Sequence, residues 1–266
     1  MTRLTWLGHS TVLLETGGLR LLTDPVLRAG IGPVRRRLEL IEADLDAVDA
    51  VLISHQHHDH LDLSSMRLLG TDVHVIVPSG AGRLLRAKGF GNVTELAVHD
   101  STRLGETTIE AVPALHDGRR LPFGAASPAL GFRIDGEHAI YFAGDTDLFP
   151  EMAELATDLD LAILPVGGWG PTLRGGHMDA VRAAAALTLL RPRTAVAIHW
   201  GTLWPIGMGR VRRDRFEEPG RRFIEEARLI APSVAVPLLL PGDQLDLPAR
   251  DAEASLAPPI EQVPPS

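Results

Sequence analysis

The stretch Asp49-Ala-Val-Leu-Ile-Ser-His55-Gln-His-His-Asp-His60 sets four histidines and an aspartate directly after a short apolar run. The run has the length and composition of a buried β-strand. In an extended chain residues two apart project to the same side, so His55 and His57 can reach one metal ion. A turn after them lets Asp59 and His60 face a second ion. Without a cation, these crowded imidazoles would leave polar groups unsatisfied, so the stretch predicts a metal site.

Three further residues follow short apolar runs in the same way: His116, Asp145 and His199. Because strand ends meet at one edge of a sheet, we expect these side chains to converge on the same site. The predicted ligands are His55, His57 and His116 for one ion, Asp59, His60 and His199 for a second, and Asp145 as a bridge between the two. His58 lies between ligands and is expected to point away from the metals.

The composition limits the metals and partners that this site can have. The chain of 266 residues contains no cysteine, which excludes thiolate ligands, disulfides and a cysteine nucleophile. Imidazole and carboxylate ligands favour two divalent ions, zinc first, with manganese and iron as alternatives. Acidic residues number 34 against 26 basic ones, which gives a net charge of −8. We therefore expect no nucleic-acid partner.

Short runs of Val, Ile and Leu alternate with helical patterns, which is typical of a mixed α/β protein. The first three strands are closely spaced and predict an antiparallel meander. A last strand is predicted at Val234–Leu239. Helices are predicted at Ser79–Lys88, Met178–Leu190 and Glu217–Ile230, the first of them capped by Ser79.

The chain is expected to form one domain over residues 1–247, followed by a disordered proline-rich tail over residues 248–266. The amino terminus lacks the apolar core of a signal peptide. The longest apolar runs are far shorter than the roughly 20 residues that cross a bilayer. We therefore expect a cytoplasmic protein with no transmembrane segment.

Taken together, these motifs resemble the metallo-β-lactamase superfamily, with His-x-His-x-Asp-His at 55–60, His116, Gly144-Asp-Thr146 and His199 in order. The stretches Trp6–Glu15, Leu22–Pro25, Tyr141–Thr146, Gly176–Asp179 and Ala197–Thr202 are similar to the branch that holds N-acyl-phosphatidylethanolamine phospholipase D and L-ascorbate 6-phosphate lactonase. The resemblance covers residues 4 to about 245. It implies an α/β fold, a four-layer αββα sandwich with the metals at one rim of the paired sheets.

The resemblance implies a dinuclear metal-dependent hydrolase that uses a metal-bridging hydroxide on a small-molecule phosphodiester, phospholipid-like or lactone substrate. Asp59 is expected to orient the hydroxide and move its proton, in addition to binding metal. His177 matches a histidine of the relatives, and we expect it to polarise the substrate or protonate the leaving group. Its alternative role is that of a helix-start residue beside the cap Asp179.

Four residues are predicted to contact the substrate: His9, Trp200, Arg212 and Arg213. For His9, support of the metal site and simple turn chemistry are equal alternatives. The two arginines belong to a basic patch over residues 210–222, and arginine suits bidentate phosphate contacts. The alternative for this patch is a solvated helix face paired with nearby glutamates.

Three other functions compete with the hydrolase. A nuclease on the same fold is disfavoured by the overall acidity, although a local basic patch could suffice. An oxygen-reducing diiron protein would normally need a flavin-bearing partner domain, for which this length has no room. A non-catalytic metal-binding scaffold is disfavoured because every predicted ligand is intact.

Overall fold

The computed structural model describes residues 1–120, 127–168, 173, 175–208 and 217–248. Its strands are β1 (Thr2–Gly8), β2 (Thr11–Thr16), β3 (Leu19–Thr23), β4 (Gly30–Ile31), β5 (Val34–Arg36), β6 (Ala50–Leu52), β7 (His74–Pro78), β8 (Val93–Leu96), β9 (Ser101–Leu104), β10 (Thr107–Asp117), β11 (Pro128–Asp135), β12 (Ala139–Phe142), β13 (Leu161–Pro165), β14 (Thr194–Ile198), β15 (Leu203–Pro205) and β16 (Gln244–Leu247). Its α-helices are α1 (Leu63–Leu68), α2 (Gly82–Arg86), α3 (Ala180–Leu190) and α4 (Pro219–Ile230), and a 3₁₀-helix spans Pro150–Leu155.

The strands form two large sheets and one small one. The seven-stranded sheet has the order β16-β1-β2-β3-β6-β7-β8, and the six-stranded sheet has the order β14-β13-β12-β11-β10-β9. The predicted meander is confirmed, since β1, β2 and β3 pair antiparallel in sequence order. A three-stranded sheet, β15-β5-β4, links the region after β14 to the region after β3.

The main core lies between the two large sheets. Trp6, Leu14 and Leu52 of the first sheet belong to one buried cluster with Phe132 and Ile140 of the second. On the outer face of the first sheet, a separate cluster joins β6 and β7 to side chains of α1 and α2. Helices α3 and α4 cover the second sheet. The four-layer αββα sandwich is thereby confirmed.

Local contacts explain where helix α3 begins and ends. Asp179 caps α3 by accepting from the backbone N–H of Arg182, as predicted, and Arg191 ends the helix in the left-handed conformation. The prediction for α2 is wrong at its start, because the helix begins at Gly82 after Ala81, a residue that has no capping side chain. No helix in the described part of the chain is long and apolar enough to span a membrane.

The strand predicted at Val234–Leu239 does not form. Only Ala235 pairs there, in an isolated parallel bridge with Thr194 at the edge of the second sheet. Pro237 explains the failure, because proline has no N–H to donate to a sheet ladder.

The topology brings several strand ends to one rim. Since β1 and β2 are antiparallel, as are β2 and β3, strands β1 and β3 run the same way, and β6 runs parallel to β3. In the second sheet β10, β12, β13 and β14 share one direction. The last residues of β10 and the segments after β1, β6, β12, β13 and β14 carry the clustered histidines and aspartates.

Candidate metal centre

Three imidazole nitrogens converge after β6 and at the end of β10. The Nε2 atom of His55 lies 2.9 Å from Nδ1 of His57, and Nε2 of His116 lies 3.2 Å from the same Nδ1. His55 is fully buried, while His57 and His116 are half-buried. The structure brings together the three residues predicted for the first ion.

A second group combines two imidazoles with two carboxylates. The Nε2 atom of His60 lies 3.2 Å from Asp145 Oδ2 and 3.7 Å from Asp59 Oδ2. The Nε2 atom of His199 lies 3.2 Å from Asp145 Oδ1 and 4.0 Å from Asp59 Oδ2. These are the three residues predicted for the second ion together with the predicted bridge.

Asp145 lies between the two groups. It belongs to a potential metal-binding set with His55 and His60, and to another with His116 and His177. Its side chain follows β12 and is almost completely buried. A carboxylate in this position can donate one oxygen to each of two neighbouring ions.

The donor atoms fit divalent cations. Among the described residues, His60 Nε2, His199 Nε2 and Asp145 Oδ1 are buried and have no hydrogen-bond partner of acceptable geometry. A buried polar atom left without a partner costs about 1–3 kcal/mol. Cations at this position would satisfy all three atoms, and imidazole with carboxylate is a ligand set that zinc, manganese and iron accept.

Outer hydrogen bonds fix the proton on the far side of three ligand rings. His60 Nδ1 lies 2.7 Å from Asp24 Oδ2. His116 Nδ1 donates to the carbonyl of Gly176 and His199 Nδ1 donates to the carbonyl of Gly167, each at 2.8 Å. Because Nδ1 carries the proton, the lone pair of Nε2 faces the centre, an arrangement that is common around bound metals.

Asp24 is not among the site residues predicted from the sequence. It follows β3 directly, as the predicted ligands follow their strands, so the same strand-end criterion could have found it. Its carboxylate is fully buried and accepts from both the N–H and the hydroxyl of Ser54, at 2.7 Å and 2.6 Å. Asp24 thus supports the His60 ring on the side that faces away from the centre.

The electrostatics of the metal-free centre favour neutral imidazoles and ionised carboxylates. Burial lowers the pKa of His57 to about 4 and that of His199 to about 3. Burial alone would raise the pKa of Asp59 and Asp145, but the neighbouring imidazoles outweigh it and hold both pKa values well below 3.8. Both carboxylates are therefore charged at neutral pH.

His60 is the exception among the ligand imidazoles. Burial alone would lower its pKa, but the carboxylates of Asp145, Asp24 and Asp59 outweigh burial and raise the pKa well above 6.5. The His60 imidazole therefore holds its second proton more tightly than the other ligand imidazoles do.

His177 lies at the open side of the centre. Its Nε2 atom is 3.3 Å from Asp145 Oδ2, its ring centroid is 4.6 Å from that of His116, and its side chain is 21% exposed. It also lies two residues before Asp179, the cap of α3. His177 is therefore beside the centre and at the start of a helix, so its position fits either of its two alternative roles. His58 lies outside the cluster and is exposed, and its Nδ1 accepts a hydrogen bond from Arg120.

Two of the four residues predicted to contact substrate, His9 and Trp200, are among the described residues. His9 is buried, with Nε2 3.0 Å from Asp59 Oδ2. The indole of Trp200 is buried against Trp6 and donates to the carbonyl of Ala197, and its contact with substrate stays a prediction. Arg212 and Arg213 lie outside the described residues. Farther along the patch, Arg222 on α4 pairs with Glu226, in line with the solvated-face alternative.

Residues 19–200 match the family model described as the beta-lactamase superfamily domain. A UPF0173 metal-dependent hydrolase of Caldivirga maquilingensis is 33% identical over 256 residues, which cover 94% of this chain and all of that protein. The N-acyl-phosphatidylethanolamine-hydrolyzing phospholipase D 1 of Caenorhabditis elegans is 34% identical over 230 residues, or 76% of this chain and 64% of that protein.

A solved structure gives the same result for the fold. Igni18, a metallo hydrolase from the archaeon Ignicoccus hospitalis, superposes with a TM-score of 0.70 and is 25% identical, covering 92% of this chain and 97% of that one. The family match, the full-length hydrolase relative and the shared fold agree with the ligand motifs. The chain therefore belongs to the metallo-β-lactamase superfamily, in the branch that contains the UPF0173 metal-dependent hydrolases.

Proposed function

We propose that this metal-dependent hydrolase is dinuclear, with one ion held by His55, His57 and His116, a second by Asp59, His60 and His199, and Asp145 shared between them. The observation that carries the proposal is the trio of buried atoms without partners, His60 Nε2, His199 Nε2 and Asp145 Oδ1. If two cations were bound by these residues, they would lower the pKa of a bound water and stabilise negative charge on the carbonyl or phosphoryl oxygen of the substrate.

Two residues of the chain move protons in this proposal. Asp59 has a side chain that is 14% exposed and is held ionised, so it can accept the proton of the attacking water. His177 stands on the more open side with its Nε2 beside Asp145, where it can donate a proton to the departing group. Zinc is the proposed metal, with manganese and iron as the alternatives.

The proposed substrate is a small-molecule phosphodiester, phospholipid-like molecule or lactone. Two divalent ions carry four positive charges, and Asp59 and Asp145 neutralise only two of them. The centre therefore favours an anionic substrate or a transition state that gains negative charge. The Caenorhabditis elegans relative, which hydrolyses a phospholipid according to its name, supports the phosphodiester class.

Elemental analysis together with a substrate panel tests the proposal. Protein purified without chelator should hold about two equivalents of transition metal and should turn over at least one of bis(p-nitrophenyl) phosphate, a phospholipid or a lactone. Asp145→Ala should lose metal and turnover together, whereas His177→Ala should lose turnover and keep its metal.

The matched control is His99→Asn, which removes an exposed histidine far from the centre and suits its left-handed backbone, φ 73°. Metal content and turnover should not change in this variant. Less than one equivalent of metal in the wild-type protein, with no activation by zinc or manganese, would refute the dinuclear hydrolase. Turnover of oligonucleotides alone would support the nuclease alternative, and metal without any turnover would support the scaffold.

A further inference from the structure

His9 lies inside the metal centre but belongs to neither proposed ligand set. Its side chain is 2% exposed, and its ring centroid is 4.1 Å from that of His199 and 5.4 Å from that of His60. We propose that His9 is a positioning residue, which holds the Asp59 carboxylate in the orientation that the second ion and the proton transfer require. The inference rests on the proposed function, because it assigns to Asp59 the role given above.

The contact between His9 and Asp59 identifies which atom carries the proton. Nε2 of His9 and Oδ2 of Asp59 are 3.0 Å apart, an ordinary distance for an N–H···O hydrogen bond. An ionised carboxylate can only accept, so Nε2 of His9 must donate. A protonated Nε2 has no lone pair for a metal ion. His9 therefore acts on Asp59 and does not bind the ion through this nitrogen.

The backbone of His9 is held in place from three sides. Its φ of 54° is in the left-handed region, which residues other than glycine rarely adopt. Its N–H donates to Thr202 Oγ1, and its carbonyl accepts from the indole of Trp6 and from the N–H of His199, at 2.8, 2.9 and 3.0 Å. The surrounding structure thus selects a conformation that the residue alone would avoid.

The preceding glycine makes this approach possible. Gly8 has a φ of 107°, and a Cβ there would lie 2.6 Å from Arg36 Nη1 and 2.9 Å from Thr202 Cγ2. Only a residue without a side chain lets the turn between β1 and β2 pack this closely against Thr202. The position of the His9 ring is therefore determined by the fold.

The consequence is a link between the two sheets. Asp59 comes from the turn after β6 in the first sheet, and His199 comes from the end of β14 in the second. His9 bonds the side chain of Asp59 and the backbone of His199, so it sets the position of one ligand relative to the other. Loss of this bond would remove from the partly exposed carboxylate of Asp59 the N–H donor that orients its Oδ2 atom.

The test compares His9→Gln with His9→Leu. Glutamine places an N–H donor near the position of Nε2, leucine places none, and both have the same difficulty with a left-handed backbone. Zinc is titrated into chelator-treated protein against a competing indicator. In His9→Leu the second of two binding steps should weaken about 10- to 100-fold, the range typical of lost supporting bonds to ligands. His9→Gln should stay within about threefold of wild type.

A third variant separates the hydrogen bond from backbone strain. His9→Asn suits the left-handed conformation but is too short to reach Asp59, so it should bind zinc as weakly as His9→Leu. On a substrate found with the panel above, kcat should fall in His9→Leu and in His9→Asn, while KM should change little. If His9→Leu does not fold, Thr202→Val against Thr202→Ser tests the same support, and only the valine should weaken the second step.

Three other outcomes would overturn either the role of His9 or the proposed function. Unchanged zinc steps in His9→Leu, with two steps in the wild type, overturn the role of His9 and leave the proposed function intact. If His9→Gln loses the second zinc step as completely as His9→Leu does, then His9 is itself a ligand. That result also overturns the proposal. A wild-type protein without any zinc step overturns the proposed function and, with it, the role of His9.

Discussion

Replacing Asp24 by asparagine should weaken the binding of the proposed second ion, because it changes which nitrogen of His60 carries the proton. The carboxylate now accepts from His60 Nδ1 and from the hydroxyl of Ser54 through Oδ2, and from the Ser54 N–H through Oδ1. Asparagine has a single acceptor oxygen, so one of these positions must become an NH₂ group. If the NH₂ faces His60, the ring keeps its bond only by moving its proton to Nε2, which removes the lone pair that would bind the metal.

The size of this effect follows from the bond that is lost. A hydrogen bond to a charged acceptor contributes about 1.5–3 kcal/mol, and each 1.4 kcal/mol is a factor of ten, so the second zinc step should weaken about 10- to 150-fold. The step at His55, His57 and His116 should change much less. Zinc titration of chelator-treated protein measures both steps, and thermal unfolding in chelator reports whether the variant still folds.

A matched control is available at Asp62, another buried carboxylate. It accepts from the N–H and hydroxyl of Ser65 and from Arg28, and it has no contact with a ligand histidine among the described residues. Asp62→Asn should lower the unfolding temperature and leave both zinc steps unchanged. Wild-type zinc affinity in Asp24→Asn, or equal weakening of both steps, would refute the account of the His60 proton.

Three further predictions concern proton release on zinc binding, the ligand turn held by Arg120 and the packing of Trp200. Because carboxylates raise the pKa of His60 well above 6.5, the second zinc ion must displace a proton, and its affinity should rise with pH; at the first site, where the pKa of His57 is about 4, affinity should be flat above about pH 5. Calorimetry in buffers of different ionisation enthalpy measures this release, and equal release at both steps would contradict it. Arg120→Ala removes donors to the carbonyls of Gln56 and Leu61, at both ends of the ligand turn, and should lower the free energy of unfolding by about 2–3 kcal/mol, with Arg120→Lys losing less. Gly220→Ala sets a Cβ against the ring of Trp200 and should cost about 1–3 kcal/mol in thermal unfolding, whereas Gly91→Ala, which meets nothing within 4 Å, should be neutral.

The ligands could be predicted from the sequence because their positions follow from short-range rules. An apolar run followed at once by histidine or aspartate marks a strand end, and parallel strands bring such ends to the same rim. His55, His116, Asp145 and His199 all have this pattern, and the structure places them in overlapping groups of potential metal ligands. The pairing of β12, β13 and β14 in parallel supplies the geometry that the pattern implies.

The features that were missed depend on contacts between distant parts of the chain. Strand β5, Val34–Arg36, is rich in arginine and has no strand pattern of its own, yet it pairs with β15 more than 160 residues later. The burial of the Trp200 indole beside Trp6 could not be predicted either, because the two residues are 194 positions apart in the sequence. Only the assembled sheets determine which side of the turn faces the centre.

Backbone strain adds a constraint that no local pattern carries. Among the described residues, six that are not glycine have positive φ, and three of them, His9, Asp24 and His199, lie in or directly behind the metal centre. Each stands just after a strand, where the left-handed conformation turns the side chain back toward the rim. Such residues cost about 1–3 kcal/mol each and persist only where surrounding bonds hold them. Glycine at these positions would relieve the backbone and remove the very side chains that bind or support the ions. The strain at this rim is therefore concentrated at residues in or behind the proposed metal centre, and it should be released only when the hydrogen bonds around His9 and Asp24 are broken.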